Sequence, residues 1–251
     1  MINDTRGSVA PKIGALALVL FMSACSSTAA NDSKQNRVEP LDPAQAHFGK
    51  SYADWASELW KWFYQMQMPS SGECVNPITD ATGASCAFGQ DPTSPVFFLT
   101  GDTGGTVVRT LCAVPTGKAL LFPVVDFAGD NGGVPPADVM TPAQLHDGIQ
   151  SQVDGVAVTD LTATVDGNPL DNMEQFKVNA TEFSYTVPPE PNSYSCGGVQ
   201  FSGLVDPSYQ SGYYVLLPAF SLGAHQIRFS ARDMLQPEDL VLDVTYDLSV
   251  L

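Results

Sequence analysis

The 251-residue sequence predicts a mainly β protein: an antiparallel β-sandwich, with one long aromatic helix near the N-terminus and one short helix packed on it. Three observations carry this expectation. Short runs rich in Val, Phe, Leu and Tyr are separated by Gly- and Pro-containing turns. The last run alternates, with Leu242, Val244, Tyr246, Leu248 and Val250 facing one way and Asp243, Thr245, Asp247 and Ser249 the other, as in a strand with one wet face. All three tryptophans lie within residues 51–69, where apolar residues recur with a helical period.

The chain opens with Arg6 and Lys12 ahead of an apolar run over 13–22. That run is shorter than the about 20 apolar residues a membrane-spanning helix needs, and small residues follow it, so residues 1–24 read as a secretory signal. The stretch FMSACSS, residues 21–27, places Cys25 directly after Ser23 and Ala24. The segment MSAC resembles the lipobox of bacterial lipoproteins, with Met22 where that family prefers Leu. The resemblance implies cleavage before Cys25, thioether lipidation of its sulfur (palmitate among the chains) and acylation of the new N-terminus. Ser26 after the cysteine, rather than Asp, implies the outer membrane over the inner one. Several acyl chains on one residue exceed the single chain that binds a membrane only marginally. Residues 25–46, rich in Ser, Ala, Asn, Asp and Pro, read as a flexible tether, and 47–251 as a single sandwich domain.

Within the body, SYADWASELWKWFYQMQMP is the main helix, with Ser51 as N-cap, Asp54 three residues on and Pro69 as its stop. Tyr52, Trp55, Leu59, Trp62, Phe63 and Met66 fall on one stripe, the pattern of a core helix laid over a sheet. Trp60 and Tyr64 lie beside the stripe and are the candidate ligand-binding residues, as an exposed stacking surface for a sugar or another protein. Residues 70–95 form a turn-rich loop. PVFFLTG, TVVRTLCAVP and ALLFPVV then read as three strands of an antiparallel meander joined by Gly-containing turns. Thr141 and Pro142 open a short amphipathic helix with Leu145, Ile149 and Val153 on one face. Asp166-Gly167 marks a turn, and strands follow near KVNATEFSYTV, GYYVLLPAF, AHQIRFSA and LVLDVTYDLSV.

Together, GKSYADWASELWKWF, RTLCAVPTGKALLFPVV and the ending GYYVLLPAFSLGAHQIRFSARD…LDVTYDLSV resemble a group of exported bacterial proteins of unknown function, over about residues 48–251. The ending also resembles Ig-like sandwiches, so the fold implied is Ig-like or jelly-roll-like. The group carries no activity to transfer, and its last strand more often has His where Asp247 stands here.

The whole chain has a net charge of −16; without residues 1–24, which hold Arg6, Lys12 and Asp4, 9 Lys+Arg face 26 Asp+Glu, a net of −17. Such a surface repels nucleic acid, which is excluded as a partner. Besides Cys25 there are four cysteines, Cys74, Cys86, Cys112 and Cys196, with no C-x-x-C pair and no nearby histidine, so a zinc site is poorly supported. An even count in an exported chain implies two disulfides. Of the three possible pairings we favour Cys86–Cys112, which flanks one expected hairpin, with Cys74–Cys196 as the remainder. No nucleophile-elbow, zincin, P-loop or dinucleotide signature is present. His47, His146 and His225 read as tether-border, polar-face and packing residues. The candidate metal ligands are Asp126, Asp130, Asn131 and Asp138, oxygen donors on a Gly-rich loop of the kind that suits Ca²⁺, although the spacing is not that of an EF-hand. Otherwise no cofactor is expected. The sequence therefore points to a lipid-anchored envelope protein, attached to the membrane through Cys25, that binds a glycan, protein or envelope component without catalysis. The alternatives are an envelope hydrolase acting on polysaccharide or ester and a Ca²⁺-stabilised structural module.

Overall fold

The computed structural model describes residues 37–233 and 240–251; Cys25, the signal and the first part of the tether lie outside them. Among the described residues nine strands build two sheets, so the chain is mainly β as expected, but both sheets are mixed. They are β1 (Val96–Phe98), β2 (Gly105–Val114), β3 (Ala119–Gly129), β4 (Thr162–Val165), β5 (Asn168–Pro169), β6 (Lys177–Val187), β7 (Gly203–Leu217), β8 (Gly223–Asp233) and β9 (Leu240–Val250). One sheet has the order β1-β3-β7-β6 and the other β2-β9-β8-β4-β5. Helices are α1 (Tyr52–Tyr64), α2 (Pro142–Gly155) and a single turn, α3 (Ser193–Cys196). Among the described residues no helix is long and apolar enough to cross a membrane.

The sheets are not purely antiparallel, and the expected meander is replaced by a crossover. β1 runs parallel to β3, with Phe97 opposite Leu120, while β2 lies in the other sheet, parallel to β9 with Val107 opposite Val244. Burial explains the choice. β1 and the first seven residues of β3 are buried at every position, so they need cover on both faces. β2 is exposed at about half its positions and suits the sheet with a wet face. The chain therefore changes sheet at residues 99–104 and again at 115–118.

α1 starts as a capping box: the Ser51 side chain accepts from the Asp54 amide, and the Asp54 carboxylate accepts from the Ser51 amide at 2.9 Å. It ends at Tyr64 rather than at Pro69. Beyond it the chain extends, with Met68 N–H donating to Pro191 O at 3.0 Å and the Gln67 amide donating to Pro189 and Pro191 carbonyls. Met66 and Met68 stay buried without being helical. α1 lies on the sheet formed by β3, β7 and β6: Tyr52 Oη donates to Leu41 O at 2.5 Å and Gln210 Nε2 to Ala53 O at 3.3 Å. The opposite face of that sheet meets the second sheet, where Phe122 of β3 stacks on Phe229 of β8 at 5.0 Å. Residues Tyr213–Leu217 of β7, covered on both sides, are all within 1 % of full burial.

α2 carries Leu145, Ile149 and Val153 inward, and Ser211 Oγ donates to Ile149 O at 3.0 Å. Residues 37–46, read from composition as tether, are docked on the body. Leu41 N–H donates to Leu216 O at 2.8 Å, and Arg37 reaches the Pro169 carbonyl and Asp171. The compact unit accordingly begins at Arg37, ten residues before the expected boundary. Val38 and Leu41 supply the apolar contact that a tally of polar residues conceals. Both expected disulfides are present, Cys74–Cys196 and Cys86–Cys112, each with Cα atoms 5.6 Å apart.

Candidate functional site

The site is built around one buried cation. Arg109, on β2, is fully buried and organises the wall of the site. Its Nε donates to Asp80 O (2.9 Å), and Nη1 donates to Thr100 O (3.0 Å), Gly101 O (2.9 Å) and Tyr246 Oη (2.6 Å). Nη2 donates to Ile78 O and forms an ion pair with Asp102 at 3.1 Å, and the guanidinium lies 5.1 Å from the Tyr246 ring centroid. A planar fork with five N–H groups can satisfy several carbonyls from different loops at once, which an ammonium cannot. Cys86–Cys112 pins the 74–86 loop beside this hub. Gly83 passes so close to it that an added Cβ would lie 2.8 Å from the Arg109 Cβ.

Against this wall sits a pocket of about 160 Å³. α1 contributes Leu59, Trp60 and Phe63, and β3 contributes Pro123 and Asp126. Ile78 and the Thr100–Thr103 segment close it. Asp126 is half-buried and receives no hydrogen bond or ion pair among the described residues. Desolvation by its surroundings pushes its pKa up to about 7. Asp102, by contrast, is committed to Arg109 and to the Thr103 amide at 2.7 Å.

Trp60 and Tyr64 are both half-buried rather than displayed as an open platform. Trp60 Nε1 donates to Tyr214 Oη at 3.1 Å, and Tyr214 donates in turn to Gln210 Oε1 at 2.9 Å. The Tyr64 ring stacks on Trp60 (5.5 Å) and on Tyr185 (4.7 Å, interplanar angle 8°). Trp60 lines the Asp126 pocket, whereas Tyr64 lines a neighbouring hollow of about 380 Å³ with Asp130, Tyr194 and Val199.

The four proposed cation ligands do not converge. Asp126 faces its own pocket. Asp130 accepts from Tyr185 Oη (2.7 Å), Tyr194 Oη (2.9 Å) and the Gly132 amide (2.7 Å). Asn131 spends both ends of its amide on the Met140 backbone, and Asp138 is exposed. Among the described residues no group of three or more His, Cys, Asp or Glu could hold a metal ion. The loop composition allowed a cage, but the Asp130 and Asn131 side chains serve as braces of the loop instead. Burial and the Asp130 charge push the Tyr185 and Tyr194 hydroxyls far above their ordinary range, so both act there as neutral donors.

A second constellation was not visible from spacing. His225 Nδ1 lies 2.8 Å from Asp166 Oδ2, and its Nε2 lies 3.2 Å from Ser221 Oγ. The β4–β5 turn at Asp166 is brought beside the β7–β8 turn by the pairing of β4 with β8. This has the order of a hydroxyl, a base and an orienting carboxylate. His225 Nε2 is also 3.1 Å from the Ser221 carbonyl, and the adjoining depression is lined by His225 and Asp166 but not by Ser221.

No family model and no curated protein matches the chain. Among solved structures, one of PbICP-C in complex with falcipain-2 aligns at 14% identity over 61% of this chain and 98% of that one, with a TM-score of 0.24. The solution structure of Amebosin aligns at 11% identity over 61% of this chain and 96% of that one, with a TM-score of 0.18. Likeness at that level assigns this chain neither a family nor an activity.

Proposed function

We propose that this chain is a lipid-anchored envelope protein, held at the outer membrane through Cys25, whose body binds a glycan, protein or other envelope component without catalysis. The observation that supports a binding role is the Trp60–Asp126 pocket. It is small, concave and walled by aromatic and aliphatic side chains, and it holds the Asp126 carboxylate, which no described residue pairs. We also read the sandwich as Ig-like. If β1, β3, β4, β6, β7, β8 and β9 are lettered A to G, the orders β1-β3-β7-β6 and β4-β8-β9 become ABED and CFG. The parallel pairing of β1 with β3 departs from that scheme.

The test has two parts. Mass spectrometry of the processed protein should find an N-terminal, acylated Cys25. Affinity capture from envelope fractions should recover a component whose retention drops on Trp60→Ala. An unmodified thiol at Cys25 removes the anchor, and capture indifferent to Trp60 removes the pocket as the binding site.

The hydrolase reading is favoured by one observation, the Ser221–His225–Asp166 line. It requires covalent labelling by a fluorophosphonate that disappears in Ser221→Ala. The absence of labelling in the native protein rejects it.

A further inference from the structure

The pocket beside Trp60 has a carboxylate that no described residue answers, and this deepens the binding reading above, on which it rests. Of the other polar groups that line it, only the exposed Thr103 hydroxyl has no partner among the described residues. Asp102 is paired with Arg109, and the Thr100 and Gly101 carbonyls already accept from the Arg109 guanidinium. Trp60 N–H is donated to Tyr214. Among the described residues Asp126 has no donor to either carboxylate oxygen. The groups around it are the Tyr64 hydroxyl from α1, the Tyr214 hydroxyl from β7, and Asp102 with its partner Arg109, while Asp130, just past the end of β3, lines the neighbouring hollow. Both tyrosines are held neutral, with pKa values raised well above 10.0. Among the described residues no lysine or histidine lines the pocket.

Even a half-buried carboxylate without a partner is costly, and a protein that retains one in an aromatic-walled cavity has a place for a cation. From this geometry we infer that the pocket takes a small organic ammonium group, with the cation over the Trp60 and Phe63 rings and its N–H groups directed to Asp126. The cavity volume of about 160 Å³ equals the share of roughly five liquid waters, enough for an ammonium head with a short stem and too little for an extended ligand. The acidic surface, with a net charge of −16 for the whole chain, raises the local concentration of such a cation. The pocket does not distinguish a free amine from an amine borne on a lipid headgroup. Both present the same group, and the test separates them.

Trp emission and isothermal titration of the purified, disulfide-bonded protein would follow ethylamine, ethanol as its neutral counterpart, and vesicles of phosphatidylcholine with or without phosphatidylethanolamine. Ethylamine should bind saturably, and ethanol at least tenfold more weakly. Asp126→Asn should lose at least tenfold in affinity and Trp60→Phe severalfold, while Asp138→Asn, on the exposed loop, changes nothing. Binding needs the carboxylate, so affinity should fall about tenfold per pH unit below 7 and level off above it. Selective binding to the phosphatidylethanolamine vesicles assigns the lipid source, and binding of ethylamine without it assigns a free amine. Near-UV circular dichroism of each variant confirms that it has folded. Equal binding of ethanol, survival of binding in a folded Asp126→Asn, or affinity flat from pH 5.5 to 8 overturns the inference. If envelope components still require Trp60 in that case, the binding reading stands and only the ligand class is wrong; if neither binds, both fall.

Discussion

Replacing Arg109 with Met tests whether a single buried cation holds the pocket wall together. The side chain has 0 % exposure and serves four carbonyls, Tyr246 and Asp102. Met fills much of the aliphatic volume but leaves those carbonyls without their donor and Asp102 as a charge in a largely closed site. Breaking one side of a buried pair costs about 3–5 kcal/mol. At roughly 2–4 °C per kcal/mol for a domain of this size, the melting temperature should fall by about 6–20 °C. Differential scanning calorimetry under non-reducing conditions measures it. Arg109→Lys should recover only part of the loss, because an ammonium cannot reach the 78–80 and 100–101 carbonyls together. Adding Asp102→Asn to Arg109→Met should be less than additive, since the stranded charge is gone. A loss below about 1 kcal/mol, or strict additivity of the two changes, would show that the loops hold themselves and that the guanidinium is a passenger.

Three further outcomes follow from the same structure. Gly212→Ala should prevent stable folding or lower the melting temperature by more than Arg109→Met, because its Cβ would lie 2.5 Å from the Val125 carbonyl and 2.8 Å from the Asp126 Cα; a wild-type melt overturns this. The folded-state pKa of Asp126 lies above its unfolded value, so the native protein loses stability as pH rises from about 4 to about 7. Asp126→Asn should therefore gain relative to it by up to about 4 kcal/mol between pH 4 and pH 8, read from urea midpoints at each pH, and a constant difference refutes the assignment. Removing Cys74–Cys196, which closes 122 residues, should cost about 4.9 kcal/mol by loop entropy, against about 3.5 kcal/mol for Cys86–Cys112, which closes 26; the reverse order in paired Cys→Ala variants would show that packing around Cys86 and Cys112 outweighs chain entropy.

Features written in neighbouring residues were legible in the sequence. The Ser51/Asp54 box, Thr141 with Pro142, and the alternation over 242–250 are all local, and all appear in the structure. The disulfide pairing is the expected one, although the hairpin it was read from does not form, since β1 and β2 lie in different sheets. The strand partners of β1 and β2 did not, because a short Gly turn looks the same whether the chain folds back on itself or crosses to another sheet. The useful clue was the unbroken burial of VFF and ALLFPVV beside the mixed burial of β2. The site was half-legible. Trp60 and Asp126 stood out by type, but Arg109 looked like one more polar residue in a strand, and its six partners come from residues 78–102 and from 246. Asp166, Ser221 and His225 meet only because β4 pairs with β8. Asp126 on β3 and Asp130 just past its end, four residues apart, serve different hollows, which loop composition alone does not reveal.

The two cystine bridges bear on when the cavity exists at all. One fastens the segment bearing Ile78 and Asp80 next to β2, and the other fastens the same segment to α3 at Cys196. That segment supplies both a side of the cavity and two of the carbonyls that hold the guanidinium. In a thiol-rich compartment neither bridge persists, and the recess would lack a secured rim. On the binding role proposed above, ligand capture is tied to oxidation: a polypeptide with both bridges reduced is a blank, and competence arrives when they close.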